Sequence, residues 1–152
     1  MSEKKFVYIS VNGTVKSYSV NVVRGYDTEG DVNSVILKVV VAGVGYESRS
    51  GIMESAVMGL QKQLPYGIRI ICCQSCRHGN FCPYGDQENE IFCLNGYAPK
   101  DKMDVVDIFN TVGHENVLKK ELLFWCDDYM AMDEGHCTYN DSDFWKPPLW
   151  GD

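Results

Sequence analysis

The chain has no apolar run near the roughly 20 residues that a helix needs to cross a bilayer. Its start, MSEKKFVYISVNG, breaks into alternating Val, Tyr, Ile and Ser. A secretory leader needs an unbroken apolar segment and a small-residue cleavage site, so a cytoplasmic protein is expected, with no membrane partner. Basic charge is also scarce, with 14 Lys and Arg against 21 Asp and Glu. The deficit is uneven: residues 1–100 carry ten basic and nine acidic side chains, residues 101–152 four and twelve. A groove that tracks phosphates needs the opposite sign, which argues against nucleic acid as a partner. An acidic C-terminal third suits solubility, or a basic protein partner.

Catalytic signatures are missing as well. There is no phosphate-binding Gly-x-x-x-x-Gly-Lys-Ser/Thr loop, no Gly-x-Gly-x-x-Gly, no His-Glu-x-x-His and no Gly-x-Ser-x-Gly. The acidic run Asp127, Asp128, Asp133, Glu134, Asp141 and Asp143 has no Lys or Arg between its members, yet it lacks the spacing of a calcium loop. The histidines are His78, His114 and His136. His136 adjoins Cys137, and neighbours on an extended segment point apart, which does not suit a thiolate and its base. No nucleophile, base and oxyanion set can be assembled.

What is present is a globular composition, 45% hydrophobic and 23% charged, on 152 residues, enough for a single domain spanning 1–152. Seven cysteines are an odd number, and a reducing compartment disfavours disulfides. Five of them crowd into residues 72–93, CCQSCRHGNFCPYGDQENEIFC. Cys73-x-x-Cys76 is the spacing with which two thiolates of one tight loop reach the same tetrahedral ion. The remaining ligands are to be found among Cys72, Cys82, Cys93, Cys126, Cys137, His78 and His136. Cys93 ends a short apolar stretch expected to pair beside the strand before the loop, and Cys137 or His136 is placed to close the shell. Four thiolates would make a closed structural site. Cys-x-x-Cys also serves redox proteins, where it opens a helix. Here it opens into Arg77-His78-Gly79-Asn80, which is loop sequence, and the spacings of iron–sulfur ferredoxins are absent. The plain alternative is a set of buried free thiols packing as small hydrophobes, the reading that suits Cys72.

The chain in order reads as α+β. Phe6–Val11 and Val15–Val23 alternate around Asn12-Gly13, a two-residue hairpin signal. Val35–Ala42 is a strand buried on much of both faces, completing an antiparallel meander of three. Gly43 and Gly45 end it, and Ser48 or Ser50 is the expected cap of one packing helix over residues 51–64. Ile68–Cys73 is a fourth strand. Asp101–Asn110 reads as a short helix with Val105, Val106 and Phe109 inward, Val117–Trp125 as either helix or strand, and the Pro/Trp-rich end as an extended segment docked by its aromatics. The second half is thus expected to be cysteine-rich, irregular and held by a structural zinc.

The segment QKQLPYGIRIICCQSCRHGNFCPYG, the later IFC, KDKMDVVDIF and a late cysteine together resemble an uncharacterised bacterial family of unknown function. The matching positions are Cys73, Cys76, Phe81, Pro83, Tyr84, Gly85, Cys93, Trp125 and Cys137, within residues 61–137. The resemblance implies Cys73, Cys76, Cys93 and Cys137 as ligands, with Cys82, Cys126 and His136 in reserve. It implies no activity. The expected function is a non-enzymatic binding or accessory module that meets a protein partner, as toxin immunity proteins do. The alternative is a metal- or thiol-dependent enzyme using the cysteine-rich loop.

Overall fold

The structure, a computed structural model, describes residues 2–85, 88–112, 118–132, 140 and 142–145. The chain divides into two compact units, Met1–Ile70 and Ile71–Asp152.

The first unit is built by alternation. Strands β1 (Ser2–Val11), β2 (Thr14–Tyr26), β3 (Val32–Val41) and β4 (Val44–Ser50) pair in sequence order, each antiparallel to the last. The short strand β5 (Ile68–Ile71) adds beside β1, so the sheet order is β4-β3-β2-β1-β5. Val7, Ile9, Val20, Val22, Val35, Leu37, Val39 and Val41 are buried at every second position, which leaves one face of the sheet covered. Helix α1 (Met53–Gln63) buries Met53, Ala56, Val57 and Leu60 and packs on β3 and β4. Residues three and four apart share a helix face, which is how this set makes one stripe.

The hairpin at Asn12-Gly13 forms as its sequence requires, with φ of 50° and 90°. The strand β4 is a difference from the sequence reading. Ala42 and Gly43 take φ of 51° and 80° and form a second two-residue turn between the partners Val41 and Val44. The glycines that looked like the end of a run are therefore a hairpin, and the meander has four strands. Ser48 does not cap the helix. It lies within β4, buried, and its hydroxyl donates to Ala56 O at 2.8 Å. The residue before α1 is Ile52, which makes no side-chain cap. A Cβ on Gly59 would lie 2.6 Å from Ser48 Oγ, so this glycine lets the helix approach the strand.

The second unit is less irregular than its composition suggests. After β5, Cys73–Ser75 forms a single 3₁₀ turn. Strands β6 (Gly79–Asn80), β7 (Ile91–Cys93) and β8 (Leu118–Lys120) make a separate antiparallel sheet in the order β6-β7-β8. Cys93 thus pairs with Gly79 rather than beside the strand at 68–71. Helix α2 (Lys102–Val112) starts at Asp101, whose carboxylate accepts the Asp104 N–H at 2.8 Å. Val105 and Phe109 pack on Phe92 and Leu94, with the Phe92 and Phe109 rings edge to face at 5.2 Å, while Val106 is only half-buried. Of the segment left open between helix and strand, 118–120 is strand and the described remainder is a turn at 122–123 with irregular flanks. Helix α3 (Ser142–Trp145) places Trp145 fully buried.

Candidate metal centre

The loop after β5 is held from two sides by backbone hydrogen bonds. On one side Cys73 N–H donates to Phe124 O at 2.7 Å and Gln74 N–H to Leu122 O at 3.1 Å. Further along, Arg77 N–H donates to Met130 O at 2.8 Å, and Cys76 forms an isolated bridge with Ala131. On the other side Gly79 pairs with Cys93, and Leu94 N–H donates to His78 O at 2.8 Å. Inside the loop, Cys76 N–H and Gly79 N–H turn back onto Cys73 O and Cys76 O at 3.3 and 3.0 Å. A Cβ at Gly79 would stand 2.1 Å from Cys73 O, so only glycine lets the chain pass beneath the turn.

This frame sorts the cysteines. Cys72 points into the core, fully buried, and its sulfur accepts from the backbone of Gln74 and Ser75 and from the Ser75 hydroxyl. Burial pushes its thiol up to about 11. Cys82 is half-buried against the cluster of Phe92, Leu94, Val105 and Phe109, as a small apolar side chain. Cys93 and Cys126 lie close enough for their charge to act on both Cys73 and Cys76. The Cys73 thiol is raised, first by burial and then by the neighbouring Cys72, Cys76, Cys93 and Cys126. That of Cys76 is raised by burial and by Cys93 and Cys126, against the opposing pull of backbone hydrogen bonds from Met130 and His78. The His78 N–H stands 3.5 Å from Cys76 Sγ.

Among the described residues, no three His, Cys, Asp or Glu side chains stand in coordination geometry about a common point. The six described cysteines are all free of disulfides. Thiols crowded together and desolvated resist ionisation, because each thiolate would face both a dry setting and the charge of its neighbours. A divalent cation reverses that preference and deprotonates a coordinating thiol outright. The N–H groups aimed at Cys76 Sγ favour the thiolate for the same reason that any donor favours a charged acceptor. The donor set is soft, sulfur-only and suited to zinc.

His78 contributes its backbone to this arrangement. Its side chain is half-buried, and with Arg77, Asn80 and Asn95 it lines a cavity of about 310 Å³ on which no described residue places a thiol. Cys137, His136 and His114 lie outside the described residues. Cys126, held in reserve by the sequence reading, has no local signature in WCDDYM. Its place follows from the pairing of residues 122–124 with 73–74, which only the fold reveals. Compared with known protein families and with curated proteins, the chain matches none.

Proposed function

We propose that the chain is a binding module without catalytic chemistry of its own, with its second unit held together by a structural zinc ion on the thiolates of Cys73, Cys76 and Cys93. The observation that carries this reading is the doubly tied Cys73–Cys76 loop. It sets two thiols in one turn, aims an N–H at Cys76 Sγ, and pairs Cys93 with Gly79 alongside. When bound, the ion supplies a fixed positive charge and a crosslink between segments distant in sequence. The chain's residues hold it and exclude water.

A structural role fits better than an enzymatic one, because among the described residues no thiol lines the cavity beside the loop. The surface offered to a partner is acidic: Asp101, Asp107, Asp127 and Asp128 are all exposed. That supports a basic protein as the partner, in an immunity-like role, and a reducing compartment such as the cytoplasm, where thiols stay available to metal. The test is metal content by mass spectrometry after purification under reducing conditions. One zinc per chain is expected, falling to a small fraction in Cys76→Ser; a wild-type protein without metal would refute the reading.

A further inference from the structure

The segment from Leu122 to Ala131 crosses the cysteine loop twice. It meets the loop first where Phe124 O and Leu122 O accept from Cys73 and Gln74, and again where Met130 O accepts from Arg77 and Ala131 bridges Cys76. Between these two attachments the chain makes a turn closed by Tyr129 N–H on Cys126 O at 3.1 Å. Cys126 opens that turn. It is pinned in an arc whose two ends both rest on the loop that carries Cys73 and Cys76. Tyr129, at the far end of the turn, is tied to the same loop through its hydroxyl, 3.0 Å from Ser75 Oγ. The backbone therefore fixes where residue 126 lies with respect to the loop, independently of any side-chain rotamer.

We propose that Cys126 is the fourth ligand, closing a four-thiolate site with Cys73, Cys76 and Cys93. The inference rests on the structural-zinc reading and adds the identity of the closing residue, in place of the Cys137 that the family resemblance implies. Cys126 is one of the neighbours whose charge acts on both Cys73 and Cys76. Cys82 is instead occupied in the apolar cluster under α2. Taking up tetrahedral geometry asks for rotation about the side chains of four cysteines whose backbones are already tied in place. A closed set of four leaves no coordination position for water, which is the mark of a structural rather than a catalytic zinc. The ion then joins three stretches of chain: the loop, strand β7 and the turn at 126–129.

Alkylation of the wild-type zinc protein, read residue by residue by mass spectrometry before and after chelation, tests this without any variant. Cys126 is only half-buried, so burial alone does not shield it from reagent. The expected result is that Cys126 resists alkylation until the chelator is added, while Cys137 is modified equally in both states. A Cys126 modified equally in both states, or a Cys137 shielded only by metal, overturns the inference. Cobalt substitution gives a second reading. Cys126→His is expected to keep one metal per chain and to shift the cobalt spectrum from that of four sulfurs to that of three sulfurs and one nitrogen. Cys137→Ser is expected to leave the spectrum unchanged, and a spectrum that changes in Cys137→Ser but not in Cys126→His overturns it. A wild-type protein that binds no metal at all defeats the underlying zinc reading, and the inference with it.

Discussion

At the scale of single residues, the cysteine loop depends on a side chain that is not there. Gly79 runs beneath the turn so closely that a methyl group would lie 2.1 Å from Cys73 O and 3.0 Å from Ile91 Cδ1. The first of these is backbone and cannot swing aside. Cys73 O is also the acceptor for Cys76 N–H, so displacing it opens the turn that spaces the two thiols. Gly79→Ala is therefore expected to lower stability by about 3 kcal/mol, the range of substitutions that force a backbone shift in a packed site. On the zinc proposal it is also expected to weaken metal retention. Thermal unfolding at saturating zinc, with Gly45→Ala as the comparison, checks it. Gly45 has open space around its Cβ position and an ordinary φ, so its replacement should stay within about 0.5 kcal/mol of wild type.

At the scale of elements, α1 and β5 are joined by one polar side chain. Gln61 is 2% exposed in the buried stripe of α1, and its amide donates to Ile68 O at 2.9 Å and accepts from Ile70 N–H at 2.7 Å. These two groups, two residues apart on one edge of a strand, are those that a neighbouring strand would meet. The Gln61 amide thus stands in for a sixth strand. Gln61→Leu keeps the shape of the stripe and deletes both bonds. It is expected to cost about 2–3 kcal/mol, since buried backbone groups lose partners that Leu cannot supply. Urea unfolding would show this as a lower midpoint at unchanged slope, whereas Gln63→Ala, on the exposed side, should move the midpoint little.

The same scale shows what the sequence could and could not tell. The Asn12-Gly13 hairpin, the valine-rich β3, α1 and α2 were legible because turn chemistry and periodicity are local. Strand β4 was not, because its buried position is Ser48, a polar residue that breaks the apolar alternation, and because Ala42 is an unusual residue for positive φ. The pairing of Cys93 with Gly79, and the place of Cys126, depend on contacts 14 and about 50 residues away in sequence. A four-residue motif marks a candidate ligand pair, whereas the residues brought near it are chosen by folding.

At the scale of the whole molecule, the two compact units differ in the regular structure that their described residues carry. Met1–Ile70 has a five-stranded sheet and a helix around a continuous apolar face, and needs no ion to bury it. In Ile71–Asp152 the described strands are two and three residues long, too short to be stable by pairing alone. If the second unit is held by the proposed zinc, its removal is expected to act selectively. Limited proteolysis with and without chelator should place the new cleavages within 71–152, while amide exchange in the strands of 2–50 stays slow. Equal protection of both units after complete metal removal would show that the ion is dispensable to the second.

The spread of the four thiols along the chain also has a consequence for how the protein is made. All five strands of the first sheet have left the ribosome's catalytic centre once residue 71 is added, whereas on the four-thiolate proposal the loop's two thiols would still wait for Cys93 and Cys126. The fifty residues between Cys76 and Cys126 take about 3–10 s to synthesise at roughly 5–20 residues per second. On the four-thiolate proposal, the nascent chain displays a bare dithiol for that interval, from the emergence of Cys76 to that of Cys126. If the proposed zinc is bound, the vulnerable moment for oxidation or for capture of the wrong metal is set by translation speed, and slowing elongation downstream of the loop is expected to raise the mis-metallated fraction while leaving the sheet intact.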